Sequence, residues 1–328
     1  MDPPRFVIEA LEAESMANQS GLTVHQLLAS LVKPAQSLAR PSISKFHVGA
    51  VGYGSSGRIF LGVNLEFPGL PLHHSVHAEQ FLVTNLSINA ETRLEYIAVS
   101  SAPCGHCRQF FQEIRGASDI KILITSADHD DDKDKRNQPQ CDRFNPLLHL
   151  LPQRFGPDDL LEKDVPLILE AHHNGLSLLS QNHQKLCNGL CDGEHSVSGD
   201  DQIHDDLKIA ALEAANKSHA PYSGCPSGVA ILDSEGKIFK GSYMESAAYN
   251  PSLGPLQAAL VAYIAGGGGA YDKIAAAVLV EKQGALVRQE HTAKLLLHTI
   301  SPRSAFRVFH CDSSGFDNCK KAALVDYD

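Results

Sequence analysis

Two similar stretches of sequence decide the fold, namely Gly57-Arg58-Ile59-Phe60-Leu61-Gly62 and Gly236-Lys237-Ile238-Phe239-Lys240-Gly241. Each follows a short run of glycine and aliphatic residues, which is Val48-Gly49-Ala50-Val51 in the first copy and Gly228-Val229-Ala230-Ile231 in the second. Each also precedes a loop that contains proline and then an apolar helix. Repetition of this kind indicates a duplicated domain, and a chain of 328 residues has the length expected for two domains.

Strands and helices alternate around these stretches. The spacing of apolar residues predicts strands over residues 46–53, 58–64, 96–100 and 120–125. Helical spacing predicts helices over residues 3–38 and 76–88 and another helix after Pro103, and Thr23 can cap the start of a helix within the first of these. Alternation in this order predicts an α/β sandwich.

Composition places the domain boundaries. Residues 1–40 are expected to form a short helical N-terminal segment, and residues 41–175 the first domain. Residues 176–204 are polar and rich in glycine and histidine, so we predict a linker there and a second domain over residues 205–328. Residues 128–136 contain no apolar side chain and are expected to form a solvated loop.

Net charge narrows the range of partners. The formal charge is −10, whereas a nucleic-acid-binding surface needs clustered lysine and arginine to meet the phosphates. A small, neutral or weakly charged substrate fits this balance better. No apolar run approaches the roughly 20 residues that a membrane helix needs, so we expect no membrane partner. The N-terminus has no signal-peptide pattern, and eight cysteines are too sparse for a disulfide framework. The cytosol is therefore the predicted location.

Two motifs in the first copy concentrate residues that bind metals. They are His77-Ala78-Glu79 and Pro103-Cys104-Gly105-His106-Cys107. One imidazole and two thiolates would leave the fourth position of a tetrahedral zinc ion open for water, which is the arrangement of a catalytic site. Pro103 favours a helix start at the C-x-x-C pair, which would point both sulfurs to one side. Glu79 could then lie beside the metal and transfer protons without being a ligand.

Less specific explanations of these motifs remain. A C-x-x-C pair alone could be half of a structural zinc site, in which His106 is the nearest candidate for a fourth ligand, or a redox pair. A redox pair has no use for the upstream His77 and Glu79. A second cluster, formed by His183, Cys187, Cys191 and His195, has a spacing of four residues and could bind a metal on a helix. The alternative to a metal site is that these residues belong to a solvated linker.

Four blocks, over residues 46–50, 62–67, 76–80 and 103–110, together resemble a known family, the homodimeric two-domain cytidine deaminases of bacteria and plants. The resemblance runs from about residue 22 to residue 310, and the block over residues 103–110 is highly specific. H-x-E followed by P-C-x-x-C is similar to the signature of zinc deaminases. It implies a duplicated three-layer α/β/α sandwich with a mixed sheet and one Zn²⁺ per subunit. It also implies pyrimidine salvage by hydrolysis of cytidine and deoxycytidine to uridine and deoxyuridine, with zinc-bound hydroxide as nucleophile and Glu79 as proton shuttle.

The resemblance implies roles for residues around the metal. Asn64 and Glu66 match the pair that hydrogen-bonds the ribose 3′-hydroxyl, and Phe46 matches an aromatic residue that packs on the pyrimidine ring. Ala78 would offer a backbone N–H to the base carbonyl, and the carbonyl of Ala102 would accept from the exocyclic amine. The alternatives are that Glu66 is an ordinary surface residue and that Phe46 is a core residue.

The second copy departs from the family pattern. Alignment of the two copies places Leu256 opposite His77 and Ala258 opposite Glu79, and no P-C-x-x-C follows. This copy is therefore predicted to be a degenerate deaminase-like domain that lacks the zinc ligands. In similar enzymes the inactive domain completes the partner subunit's site, which implies a homodimer here.

The loop that would act in trans contains Ala247, Ala248 and Tyr249. Two other functions stay open at this point. One is a deaminase of cytidine within polynucleotides, and the other is a non-catalytic scaffold stabilised by zinc.

Overall fold

The computed structural model describes residues 5–126, 144–179 and 200–313. Side chains of the helix that begins at Asp200 are described from Asp205 onward. The predicted solvated loop over residues 128–136 lies outside these ranges. So do His183, Cys187, Cys191 and His195, and the predictions about both segments stay predictions.

The first half contains a mixed sheet and the helices that cover it. Its strands are β1 (Val7–Ile8), β2 (Gly49–Gly54), β3 (Ile59–Val63), β4 (Leu94–Val99), β5 (Lys121–Ile124) and β6 (Asn145–Pro146). Its helices are α1 (Ala10–Gln19), α2 (Val24–Ser37), α3 (Ala78–Ile88), α4 (Gly105–Phe110) and the single turn α5 (Pro157–Leu160). In the described residues the strand order is β1-β3-β2-β4-β5-β6.

The second half repeats this plan. Its strands are β7 (Leu176–Leu178), β8 (Ser227–Asp233), β9 (Ile238–Ser242), β10 (Ile274–Lys282) and β11 (Ala305–Ser313). Its helices are α6 (Asp200–Asn216), α7 (Pro255–Ala265) and α8 (Glu290–Ile300). The strand order over the described residues is β7-β11-β10-β8-β9. The short strand β7, which falls in the predicted linker, pairs with β11 at the edge of this sheet.

The two sheets share a common core topology. The order β3-β2-β4-β5 in one corresponds to β9-β8-β10-β11 in the other, and in each only the last pair of strands is parallel. The glycine hairpins that open the sequence therefore occupy equivalent places. The predicted duplication of an α/β fold with mixed sheets is confirmed.

Glycines in β2, β3, β8 and β9 let helices approach both faces of each sheet. A Cβ atom on Gly49 would lie 2.8 Å from the carbonyl oxygen of Val32 in α2, and one on Gly62 would lie 2.2 Å from the carbonyl oxygen of Ala78 in α3. In the second half Gly228 meets α6 and Gly241 meets α7 in the same way. The result in each half is a sheet between two helical layers.

The N-terminal segment differs from its prediction as one long helix. Its first described residues form β1, which pairs antiparallel with β3 through Val7 and Phe60. Two helices follow, separated at Gly21, whose φ of 65° is accessible to glycine at little cost. The predicted cap at Thr23 is confirmed, because its side chain accepts a hydrogen bond from the Gln26 backbone N–H and Gln26 reciprocates.

The two halves pack against each other through α3 and α7. Every residue of α7 from Pro255 to Ile264 is buried, which explains why this helix has no polar face in the sequence. Polar contacts flank this apolar interface. Arg40 of the first half donates hydrogen bonds to the carbonyl oxygens of Gly268 and Gly269 in the second. No helix in the described ranges is long and apolar enough to cross a membrane.

Candidate metal centre

Three side chains from the two sequence motifs converge on one point. Nδ1 of His77 lies 3.4 Å from Sγ of Cys104 and 3.3 Å from Sγ of Cys107, and the two sulfurs are 3.7 Å apart. Ligands at ordinary zinc bond lengths around a tetrahedral ion are separated by about 3.8 Å (two sulfurs) and about 3.6 Å (sulfur and nitrogen). The spacing of these donors, and their softness, therefore fit Zn²⁺ with one position left for water.

The starts of two helices place the donors. His77 immediately precedes α3, and Cys104 immediately precedes α4. Backbone hydrogen bonds in both directions between Leu65 and Val76 fix the chain that leads into His77. The backbone N–H of His77 donates to the side chain of Gln80 at 3.3 Å. Backbone N–H groups at helix starts favour negative charge, which suits thiolate ligands.

Hydrogen bonds divide the charge between the two thiols when no metal is bound. Bonds with Cys107 and His77 lower the pKa of the Cys104 thiol to about 3. The same Cys104 interaction, together with burial, raises the pKa of the Cys107 thiol well above its usual value. Metal ligands must be deprotonated, so metal binding displaces the proton of the Cys107 thiol.

Glu79 lies beside the three donors as a buried acid. It is the second residue of α3 and is only 5% exposed, and its Oε2 is 3.4 Å from Sγ of Cys107. Burial raises the pKa of its carboxyl group because a charge in this environment loses its hydration. A carboxyl group whose pKa is raised towards neutrality can both take and give a proton.

Asn64 and Glu66 are held by the backbone of the neighbouring segment. The Asn64 side chain accepts from the Val48 N–H and donates to the Phe46 carbonyl, each at 2.9 Å. The Glu66 carboxylate accepts from the backbone N–H groups of Ile43 and Ser44 and from the Ser44 hydroxyl. Both predicted ribose contacts are therefore fixed in position at the end of β3.

The hydrogen bonds to Glu66 determine its charge. Burial alone would raise its pKa, but the Ser44 side chain, the backbone of Ser44 and Ile43, and the charge of Lys45 together lower it. Glu66 is therefore ionised at neutral pH. Its side chain also lines a cavity of about 590 Å³ that is shared with Tyr271 and Thr299 of the second half.

The other predicted contact residues differ in exposure. The Phe46 side chain is 58% exposed, so the alternative of a core phenylalanine is wrong. Ala102 is exposed just before the cysteines. Ala78 is buried as the first residue of α3, where backbone N–H groups have no partner within the helix. The ring of His106 lies 5.3 Å from that of His77, and His106 is outside the three-donor cluster.

The second half presents different residues at the equivalent positions. Met244 pairs with Leu253 as Leu65 pairs with Val76, so the connecting loop is two residues shorter in the second half. The predicted alignment is therefore wrong by two residues. Gly254, not Leu256, stands opposite His77, and Leu256, not Ala258, stands opposite Glu79. Neither Gly254 nor Leu256 can bind zinc. In the described ranges His77, Cys104 and Cys107 form the only such cluster of donors.

Comparison with known proteins agrees with this geometry. Two profiles, both for the cytidine and deoxycytidylate deaminase zinc-binding region, match residues 22–124 and 147–294. Cytidine deaminase 1 of Arabidopsis thaliana is 61% identical over 95% of this chain and 99% of its own length. The chain belongs to the cytidine deaminase family. Zn²⁺ is accordingly the metal that the centre binds.

Other cytidine deaminases are similar over most or part of the chain. Cytidine deaminase 6 of Arabidopsis thaliana is 48% identical over 90% of this chain and 96% of its own length. Cytidine deaminase of Serratia proteamaculans is 33% identical over 94% and 92%. A crystal structure of cytidine deaminase from Mycobacterium tuberculosis aligns at 28% identity over 40% of this chain and 96% of that one, with a TM-score of 0.32.

Two buried polar residues of this cytidine deaminase were missed by sequence reasoning. Gln80 donates to the carbonyl oxygen of Pro251, and Glu113 accepts a hydrogen bond from the backbone N–H of Ala247. Both side chains therefore form hydrogen bonds with the backbone of the loop that was predicted to act in trans. In that loop Ala247 is buried, whereas Ala248 and Tyr249 are exposed. A signal for burial was present in the sequence, because the apolar residues Phe111 and Ile114 flank the pair Gln112-Glu113.

The difference between the halves predicts the metal content of this cytidine deaminase. The purified protein is expected to contain about one zinc ion per chain, because only the first half offers soft donors at zinc spacing among the described residues. Elemental analysis against protein concentration measures this. Cys107→Ala is expected to lose the ion and the control Cys225→Ala, a buried cysteine of the second half, to keep it. Two zinc ions per chain would contradict the assignment.

Proposed function

We propose that this protein catalyses the hydrolytic deamination of cytidine and deoxycytidine to uridine and deoxyuridine. The observation that carries the proposal is the buried carboxyl group of Glu79, 3.4 Å from the ligand Cys107 at a centre with three protein donors. A purely structural zinc site has four protein ligands and no use for an adjacent acid. The relatives named cytidine deaminase support the choice of substrate.

The metal and the acid have separate tasks. Zn²⁺, when bound by His77, Cys104 and Cys107, supplies Lewis acidity that makes water a nucleophile near neutral pH. Glu79 would take a proton from water and deliver it to the ring nitrogen of the base. It would then move the proton of the newly added hydroxyl group to the amino group, which leaves as ammonia. Burial of Glu79 keeps its pKa raised, as proton transfer in both directions requires.

The neighbouring residues orient the nucleoside. The backbone N–H of Ala78 and the carbonyl of Ala102 would hold the base edge, and the exposed ring of Phe46 would pack on the pyrimidine. At the ribose 3′-hydroxyl, the amide of Asn64 would donate a hydrogen bond and the ionised Glu66 would accept one. Their fixed side chains mean that little rotamer entropy is lost on binding.

We further propose that two copies of the chain form a homodimer and that the chain serves pyrimidine salvage in the cytosol. In this assembly the loop with Ala247, Ala248 and Tyr249 completes the partner's site. The 68% exposure of Tyr249 in the single chain supports a role at an interface, because a large aromatic side chain favours burial. Each dimer then holds two zinc ions.

A polynucleotide substrate is the second candidate. The charge of −10 opposes it, because polyanion binding requires cationic surface. The pair Asn64 and Glu66 opposes it as well, since the hydroxyl that this pair would hold is esterified within a strand. The negative charge of Glu66 would also repel that phosphate.

Ultraviolet absorbance of free cytidine mixed with purified protein tests the proposal. We expect the cytidine band to disappear, activity to be lost after removal of zinc by a chelator, and activity to return when Zn²⁺ is added back. Single-stranded DNA or RNA containing cytidine serves as the competing substrate. A zinc-loaded protein that leaves free cytidine unchanged would refute the proposal that the substrate is a free nucleoside. Activity on the polynucleotide would establish the second candidate function.

A further inference from the structure

Glu113 is a fully buried carboxylate that the chemistry of deamination does not use. It ends the short 3₁₀ turn Phe111–Glu113, which directly follows α4, and it is 0% exposed. It lies six residues after the metal ligand Cys107. Burial of an ionised acid is costly unless hydrogen-bond donors satisfy both oxygens, so the identity of its donors is informative.

The donors to the Glu113 carboxylate all come from the second half. Oε1 accepts from the backbone N–H of Ala247 at 2.7 Å. Oε2 accepts from the hydroxyl of Tyr222 at 2.7 Å and lies 3.2 Å from Nε2 of His219. This acid thus links the segment after the zinc cysteines to a half of the chain that has no zinc ligands in its described residues.

The contact between Glu113 and His219 is part of a longer chain of polar contacts. The carbonyl oxygen of Glu170 can only accept, so Nδ1 of His172, at 2.7 Å, donates to it. Nε2 of His172 must then accept from Nδ1 of His219, at 3.2 Å. His219 therefore donates through Nδ1 to His172, and its Nε2 lies against the Glu113 carboxyl group.

Ala247 is the point at which the loop leaves the interior. Ala247 is 4% exposed, whereas Tyr249, two residues later, is 68% exposed. The Tyr249 N–H donates to the carbonyl of Ser246 at 2.8 Å, which closes a tight turn. At the far end Gln80, next to Glu79, donates to the carbonyl of Pro251 at 3.0 Å. The exposed apex thus has both ends attached to the segments that carry the metal ligands.

We propose that Glu113 is a positioning residue for substrate binding, because it fixes the loop apex at Tyr249 relative to the zinc centres. This rests on the proposed role of that loop at the partner's site. In the homodimer, the segment that follows the metal cysteines of one subunit then sets the geometry of that subunit's own loop, and this loop completes the active site of the partner subunit. Glu113 touches no substrate, and its effect passes through Tyr249.

A double-mutant cycle in the full-length dimer separates positioning from a general effect on stability. The variants are Glu113→Gln, Tyr249→Ala and the two combined, each assayed for kcat and KM with free cytidine and for zinc content and Tm. Glu113→Gln keeps the shape but leaves donors facing an amide nitrogen. We expect it to raise KM about tenfold, the size of a lost hydrogen bond to a charged group, with kcat and zinc content almost unchanged.

The outcomes distinguish the two proposals. If Glu113 acts through the apex, Glu113→Gln changes KM less than about twofold when Tyr249→Ala is already present, as expected for coupled positions. An undiminished effect in that background, or a lowered Tm with normal KM, would overturn the positioning role while the loop proposal stands. A normal KM in Tyr249→Ala alone would overturn both.

Two further variants guard against misfolding and non-specific effects. Tyr222→Phe removes one donor to Glu113 and leaves its contacts with Ala247 and His219. A smaller rise in KM is therefore expected in a folded protein, and no rise would count against the proposal. Glu91→Gln is the matched control. Glu91 is a buried acid of the first half that is bonded to Ser55, Ser56 and Arg58. Its replacement is expected to lower Tm with KM unchanged, and an equal rise in KM would refute a specific role for Glu113.

Discussion

Replacement of Glu79 by glutamine is expected to lower kcat for cytidine by about 10²–10⁴, the usual contribution of a general acid–base group. The amide keeps the size of the side chain but cannot take a proton from water or deliver one to the base. The protein donors of the zinc centre are unchanged, so the variant is expected to keep one zinc ion per chain. Absorbance assays and elemental analysis of the same preparation measure both quantities.

A buried acid in the second half provides the control for Glu79. Glu281 is 2% exposed, and burial raises its pKa as it does for Glu79. It accepts a hydrogen bond from the backbone N–H of Gln289 and lies far from the zinc ligands in sequence. Glu281→Gln is expected to leave kcat almost unchanged. A Glu79→Gln variant with full kcat and bound zinc would remove Glu79 from the proton transfers.

Replacement of Gly62 by alanine is expected to produce the largest combined loss of stability and activity. The new Cβ would lie 2.2 Å from the carbonyl oxygen of Ala78 and 2.7 Å from the backbone N of Leu82, where contacts of about 3.5 Å are normal. Helix α3 must therefore move by about 1 Å, and a misplacement of that size can reduce activity about 10²-fold. Overpacking also destabilises the fold by about 1–3 kcal/mol.

Comparison with two other glycines tests this argument. A Cβ on Gly241 would lie 2.0 Å from the backbone N of Ala259, so Gly241→Ala is expected to destabilise the protein by a similar amount. It displaces α7, which carries no metal ligand, so the loss of kcat per folded chain is expected to be smaller. Gly105→Ala meets nothing within 4 Å and is expected to fold normally. Thermal unfolding and kcat measurements show whether the three variants differ in stability and activity as expected. Equal losses of kcat for Gly62→Ala and Gly241→Ala would contradict the explanation that displacement of α3 lowers activity.

Local patterns were sufficient to predict the metal donors. His77 and the C-x-x-C pair each stand at the start of a helix, where spacing along the chain determines which side chains face one another. The glycine hairpins were equally informative, because both copies keep the residues that let a helix approach the sheet. The family resemblance, carried by the same motifs, supplied the substrate class, which the spacing of ligands does not determine.

Features that depend on distant partners escaped prediction. The strand β1 has only two residues, and it forms because Val7 and Ile8 pair with β3 far along the chain. The alignment of the second helix failed because a uniform offset between the copies ignores a loop that is two residues shorter. Glu113 escaped because nothing near it in sequence indicates that residues 219, 222 and 247 would surround it.

The partners of Glu113 also order the events of synthesis. His219 and Ala247 lie 106 and 134 residues after it. A ribosome adds about 5–20 residues per second, so roughly 7–27 s pass between Glu113 and Ala247. During that interval the nascent zinc-binding half carries an acid without the hydrogen-bond donors that the second half supplies, and helix α3 has no α7 to cover it. Completion of the catalytic half is thus a late step, which depends on translation of the half that performs no chemistry.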